Sequence, residues 1–490
     1  MRGVLVGLFV VGLAAVAGCK KPNQAPDVPA VPSGPSSGAV GVEYTFSSSA
    51  ADPDGDSVAI RFDWGDGDTS DWSRWVRPGD TATSSHSWSS IGTFSVRAQT
   101  KDTGRNTSAW SSGYSFAVIR TWTKTFGGVE WDEGYCVQQT QDGGFVITGT
   151  TGSYGAGNDD IWLIKTDASG DTAWTRTFGG SGDEVGNAVR QTQDGGFIVV
   201  GYTCPHGTSE RDVWLVKTDA SGNDVWDKTF GGVGLDEGSS VEQTPDGGYI
   251  IAGFTESSSP SGSDAWLIKT DADGDTVWSR AFGGERADWG TSVGRTMDGG
   301  YFVAGYTYSY GAGGGDMWLV KTDATGNRIW DRTFGGAGRD DGYSAQQTLD
   351  GGYVIAGNTE SYGAGDADMW LVKTDAAGDT VWTRSFGGTS GDYGRSVQQT
   401  RDGGFIVVGI TSSFGAAWDN VWLVRADAHG DTLWTRTYDG EDTDGGSSVR
   451  QTMDGGYIIT GTTYSYGAGW ADIWLIRTDA EGRVDEGLAK

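Results

Sequence analysis

Residues 178–230 read F-G-G-S-G-D-E-V-G-N-A-V-R-Q-T-Q-D-G-G-F-I-V-V-G-Y-T, then a loop, then D-V-W-L-V-K-T-D-A-S-G-N-D-V-W-D-K-T-F. The stretch recurs. Its opening aromatic stands at Phe126, Phe178, Phe230, Phe282, Phe334, Phe386 and Tyr438, always 52 residues apart. A strict internal period outranks any local propensity as a guide to architecture.

Each copy holds four strand-like runs. In the first they are Gly134–Thr140, Phe145–Thr150, Ile161–Thr166 and Thr172–Phe178. Asp142-Gly143-Gly144 and Asp167-Ala168-Ser169-Gly170 separate them. Asp and Gly tolerate the positive φ of tight hairpins, so the copy reads as an antiparallel meander. In the fourth run Trp174, Arg176 and Phe178 alternate with Thr175 and Thr177, the period of a strand buried on one face. The third run, Ile161-Trp162-Leu163-Ile164, is apolar on both faces and must be covered on both.

Four-stranded sheets stacked around an axis satisfy both patterns, as in the propeller repeats. The last copy ends at Arg483-Val484-Asp485-Glu486, without an outer tryptophan. Thr121–Phe126, which carries Trp122, precedes the first full copy and supplies the missing strand. The expected fold is therefore all-β: a seven-bladed β-propeller at 120–490, its last blade completed by the N-terminal strand.

The 490 residues carry 83 glycines at fixed turn positions and a net charge of −30, with a pI near 4.3. Phosphate backbones would repel such a chain, so nucleic acid is excluded as the main partner. The three cysteines form no disulfide framework and no CxxC metal site. Three histidines make histidine metal centres and Ser-His-Asp triads poor readings.

Before the repeat the chain changes character twice. Met1-Arg2 leads into the apolar run Val4–Ala17, short for a spanning helix and suited to a secretory signal at 1–18. Val16-Ala17-Gly18-Cys19 resembles the bacterial lipobox, which implies that Cys19 is diacylated, as with palmitate, and becomes the mature N-terminus. Lys20, in place of a retaining aspartate, leans the expected address to the outer membrane or cell surface. Residues 19–38, with Pro22, Pro26, Pro29, Pro32 and Pro35, read as a tether.

Residues 39–119 alternate short strands with acidic turns. Phe62-Asp63-Trp64-Gly65-Asp66-Gly67, with His86-Ser87-Trp88 leading to Gly92-Thr93-Phe94-Ser95-Val96, resembles the polycystic-kidney-disease (PKD) type of immunoglobulin-like β-sandwich. The resemblance implies a spacer or a weak binder of polysaccharide or protein. Asp52, Asp54, Asp56, Asp63, Asp66 and Asp68 are candidate calcium ligands, since hard cations take clustered carboxylates. Turn formation is the competing reading, and calcium is the single cofactor considered.

Inside the repeat, acids recur at fixed phase: Asp132, Glu184, Asp236, Asp288, Asp340, Asp392 and Asp444, then Asp160, Asp212, Asp264, Asp316, Asp368 and Asp472, with Asn420 breaking the second series. A residue present in every copy reads as structural, because a reaction centre needs acid and base in unlike environments. The D-A-x-G turn resembles quinoprotein-dehydrogenase and sialidase repeats, but the spacings differ and the similarity is architectural. No catalytic residue is assigned.

Four tryptophans break the repeat: Trp131, Trp289, Trp418 and Trp470. Trp131 and Trp289 are expected in loops between blades, Trp418 and Trp470 in loops between second and third strands, all at one mouth of the ring. Tyr154, Tyr310, Tyr362, Phe414 and Tyr466 sit in the same S-[YF]-G-A loops. Exposed aromatics offer flat faces to sugar rings, and binding groups gather on loops held by rigid scaffolds. The expected function is a lipid-anchored surface scaffold binding a glycan or a surface protein. The alternatives are a glycoside-active enzyme on the same scaffold and a purely structural envelope component.

Overall fold

The computed structural model describes residues 22–205, 208, 210–259, 262–415 and 418–484. The signal segment 1–18 and Cys19 lie outside them. Among the described residues every regular element is a β-strand. The chain divides into two compact units. The first takes in residues up to Gly34, Glu43–Trp88 and Thr93–Phe116; the second takes in Pro35–Val42, Ser89–Gly92 and Ala117 onward.

The first unit holds a sandwich. Glu43–Ser49 pairs antiparallel with Thr81–Ser87, and Val58–Asp63 pairs with Gly92–Asp102. Its core is aromatic: Phe46, Phe62, Trp64, Trp88 and Phe116 are buried. Trp64 stacks on Phe62 and on His86, and the Trp88 indole N–H donates to Trp64 O. The D-W-G-D-G run is thus a core tryptophan followed by a tight turn.

The tether expected over 19–38 is corrected. From Asp27 onward this segment lies along the sandwich. Asp27 N, Ala30 N and Ser33 N donate to Ala51 O, Ser49 O and Ser47 O, while Pro26, Pro29 and Pro32 are buried. Proline has no N–H to leave unpaired, so alternating donors with proline rings suits an edge segment. Composition alone reads such a stretch as unfolded.

The second unit contains seven four-stranded antiparallel sheets, here I to VII. Sheet I is Asp132–Gln139, Phe145–Thr151, Asp160–Thr166 and Thr172–Phe178. Sheets II to VI repeat it from Asp183, Asp236, Asp288, Asp340 and Asp392. Sheet VII is Asp444–Gln451, Tyr457–Thr463 and Asp472–Thr478, with Trp122–Phe126 as its fourth strand. Second and third strands are buried along their length in sheet I, whereas the fourth alternates.

The turns follow their chemistry. Asp142 Oδ1 accepts from Thr140 Oγ1 and Gly144 N, and Gly143 takes φ +85°. Asp167 Oδ1 accepts from Ser169 N and Asp171 N. Gly170 is required twice over: φ is +78°, and a Cβ there would stand 2.6 Å from the Trp122 ring.

Neighbouring sheets meet through repeated contacts. Gln141 N donates to Gln191 Oε1, and Gln193 N to Gln243 Oε1, linking I to II and II to III. Sheet VII meets sheet I in the same way, through Met453 N to Gln139 Oε1 at 2.8 Å. Trp122 of sheet VII lies under the Gly170 turn of sheet I as Trp174 of sheet I lies under the Gly222 turn of sheet II.

Candidate functional site

Seven copies in one chain show which positions the fold holds fixed and which it leaves free. The first strand of every sheet carries the repeated acid at or next to its start, and two residues after that acid comes Gly134 or its equivalents. Across the ladder stand a threonine and a second glycine, as in Asp132↔Thr151 and Gly134↔Gly149. Between these fixed pairs lies a cross-strand pair that never repeats. It is Glu133↔Thr150, Val185↔Tyr202, Glu237↔Phe254, Trp289↔Tyr306, Asp341↔Asn358, Tyr393↔Ile410 and Gly445↔Thr462. These side chains stand beside glycines that the neighbouring sheet and the paired strand approach too closely for a Cβ. Diversity held in one place on a uniform frame is the pattern of a recognition surface.

The fixed acids are structural. Asp132 accepts from Thr151 Oγ1, Ser153 Oγ and Gly128 N, and Asp160 Oδ2 accepts from Ala156 N. They close the loops around the variable pairs.

At sheets I and II the variable residues enclose a cleft of about 520 Å³, lined by Glu130, Trp131, Glu133, Tyr135, Asp159 and Tyr202 among others. Burial raises the Asp159 carboxyl above its ordinary value, and the charges of Asp183 and Glu133 add to it. Burial likewise raises the Tyr135 phenol, reinforced by Glu133, to which its hydroxyl donates. Further along, Arg211 pairs with Glu237 and lies 4.4 Å over the Tyr202 ring. Arg339 pairs with Asp341 at 2.9 Å and covers Tyr306 and Tyr308. The surface alternates acids, aromatic rings and cations whose charge is already matched.

Trp131, immediately before sheet I, stacks on Trp470 of sheet VII with centroids 6.4 Å apart and planes 9° apart. They are 44% and 64% exposed, so the pair offers free apolar faces next to the cleft. Trp418 is 60% exposed on the corresponding loop of sheet VI. Trp289 is corrected: it is not in a loop but the second residue of the strand Asp288–Arg295. It is half-buried, stacked on Phe254 at 4.9 Å and tilted against Tyr306. A strand residue beside a glycine pair is held by its neighbours.

The loop aromatics are more than a rim. Tyr154, Tyr310, Tyr362 and Tyr466 donate their hydroxyls to Gly127 O, Gly283 O, Gly335 O and Asp439 O. Their rings, and that of Phe414, lie 5.1–5.7 Å from the third-strand tryptophans Trp162, Trp318, Trp370, Trp474 and Trp422. Tyr154, Tyr310, Tyr362 and Phe414 keep an exposed face, whereas Tyr466 is half-buried. Sequence reasoning missed Glu133, Tyr135, Asp159 and Tyr202. Their signal lies in the repeat itself: each stands at a strand or strand-edge position whose residue varies between copies.

In the sandwich the six candidate calcium ligands do not converge. Asp52 Oδ1 caps its own turn through Asp54 N and Asp56 N, Asp54 meets Gln24, and Asp63 pairs with Arg97. Asp66 and Asp68 come together with His86, and Asp66 pairs with that histidine at 2.7 Å. The residues present suit turn formation better than a shared cation.

The family model for the PKD domain matches residues 27–112. The PKD domain of an M14-like peptidase from Thermoplasmatales archaeon SCGC AB-540-F20 is 32% identical over 20% of this chain and 99% of its own, with a TM-score of 0.19. Sqt1 from Chaetomium thermophilum is 12% identical over 73% of this chain and all of its own, with a TM-score of 0.42. The extracellular domain of the hybrid two-component system BT3049 from B. thetaiotaomicron is 9% identical over 76% of this chain and 55% of its own, with a TM-score of 0.19. No curated protein matches the sequence. Through residues 27–112 the chain belongs to the proteins that carry a PKD domain.

Proposed function

We propose that the seven sheets close into a seven-bladed propeller, and that its loop-bearing mouth binds a neutral glycan at the extracytoplasmic surface. The closure reading is supported by sheet VII, which takes its fourth strand from Trp122–Phe126 and meets sheet I through the contacts that join the other sheets. Closing the ring in this way pairs a strand that would otherwise be an open edge.

The observation that carries the glycan reading is the exposed Trp131–Trp470 stack beside the Glu133–Asp159 cleft. Indole faces match the C–H faces of sugar rings, and carboxylates accept from sugar hydroxyls. An acidic mouth disfavours anionic polysaccharides and leaves neutral ones. Attachment through a diacylated Cys19, with the PKD domain as spacer, would present this mouth to extracellular material. The test is retention of the purified protein on a panel of immobilised neutral and acidic polysaccharides, with Trp131→Ala and Trp470→Ala beside it.

One observation favours a second reading. A carboxyl raised by burial, Asp159, stands near the carboxylate Glu133, the asymmetry a glycosidase uses for its acid. Release of reducing ends from retained polysaccharide, abolished by Asp159→Asn, would establish it.

A further inference from the structure

One cavity of about 340 Å³ takes wall residues from all seven sheets and is strongly polar. A second, of about 290 Å³, lies by the short D-G-G turns and includes Gln138, Gln398 and Gln451. Arg190 of sheet II and Arg450 of sheet VII line both. They therefore stand in the partition between the two spaces.

At this step of the repeat the sheets carry Gln138, Arg190, Glu242, Gly294, Gln346, Gln398 and Arg450. Two cations and one acid occupy what is otherwise a neutral ring. Arg190 Nη1 donates to Val189 O at 2.8 Å and approaches Cys136 Sγ at 3.4 Å. Arg450 Nη1 donates to Val449 O at 2.7 Å and to Ser396 Oγ at 3.2 Å. Among the described residues neither arginine has a carboxylate partner within ion-pair distance, and their other N–H groups have no acceptor. Glu242 lines the first cavity and acts on both only through space.

Two guanidiniums facing one small space repel each other. Burial lowers Arg450 to about 10, and the charge of Arg190 contributes in the same direction. Burial raises the Cys136 thiol, yet Arg190 and Arg450 more than offset this and leave it below its ordinary value. Arg190 is held above its ordinary value, its burial outweighed by Cys136 and Glu242, so the unmatched positive charge falls on Arg450, in a chain whose net charge is −30. Guanidinium forks with free N–H groups fit the oxygens of a compact oxyanion.

We propose that this partition binds one inorganic oxyanion of the phosphate or sulfate class, gripped by Arg190 and Arg450, with the serine hydroxyls of the cavity wall as further donors.

The test is calorimetric titration of the full chain with inorganic phosphate and with sulfate at constant ionic strength. The expected result is a saturable single site, weakened at least tenfold in Arg190→Gln and in Arg450→Gln. Glutamine is the residue that sheets I, V and VI carry at this step, so both variants should melt as the parent does. Cys136→Ser, which copies Ser240 and its equivalents, should retain the site. Phosphate should also slow alkylation of Cys136 by iodoacetamide in the parent, and not in the Arg190→Gln, Arg450→Gln double variant. No saturable binding, or equal binding in the double variant, overturns the proposal. Loss of binding in Cys136→Ser, with both arginine variants unaffected, also overturns it, because the thiol rather than the guanidiniums would then hold the ion.

Discussion

Trp131 stacks on Trp470, although one precedes sheet I and the other lies in a loop of sheet VII. The contact exists because the two ends of the repeat are neighbours. A parallel bridge from Trp131 to Ala471 fixes the two backbones, as Asp159 to Asp183 does between sheets I and II. The proposed ligand platform therefore spans the first and last sheets, and the platform and the proposed closure can be tested separately.

Closure is tested at Trp122. The side chain is buried, 5.8 Å from Phe145 of sheet I, on a strand paired with Asp472–Thr478. Trp122→Ala should lower stability by about 3–5 kcal/mol, the usual cost of deleting a large buried ring. Chemical denaturation followed by tryptophan fluorescence reads this directly. A loss within experimental error would mean that the strand does not close the last sheet.

Trp289 separates packing from binding. Stacked on Phe254 and half-buried, it should cost about 2–3 kcal/mol when changed to alanine. Glycan retention at the Trp131–Trp470 stack should be unchanged, since Trp289 belongs to sheet IV. Lost retention with full stability would show that the binding surface extends to that sheet.

Stability should depend on pH in two opposing ways. Asp160, Asp316 and Asp472 are raised above the ordinary 3.8, first by burial. A raised carboxyl contributes stability below its unfolded value and loses it as pH rises through the folded one, so acidification from neutrality should stabilise. Asp142, Asp194 and Asp350 are lowered to about 2, because threonine hydroxyls and Lys165, Lys217 and Lys373 outweigh their burial. Their contribution is present above 3.8 and lost as pH falls towards 2. Thermal melting should thus peak between about pH 4 and 6 and drop below it. A melting temperature that declines steadily from pH 7 to pH 4 would contradict this balance.

The fold was largely legible because the repeat states it seven times. The alternation of Trp174, Arg176 and Phe178, against the unbroken apolar run at Ile161, marked the outer and buried strands that the structure contains. Gly170 and Asp167 announced their turn. Three features were not legible. Residues 27–33 read as a tether because proline content argues against a core, yet an edge strand needs few donors. The ladder of sheet IV starts at Asp288, before the alternation becomes readable, so Trp289 looks like a loop residue in the sequence and is a strand residue in the structure. The cleft was missed because Glu133, Asp159 and Tyr202 are ordinary residues singly, and only the ladder puts them around one space.

The central claim is that the mouth binds a glycan through the paired indoles. The most direct measurement is retention of the full chain on immobilised neutral polysaccharides, compared with Trp131→Ala and Trp470→Ala, both checked by melting. The account predicts at least tenfold weaker retention in each variant with little change in stability, the rings being largely exposed. Equal retention in parent and both variants, on every polysaccharide that holds the parent, would contradict it.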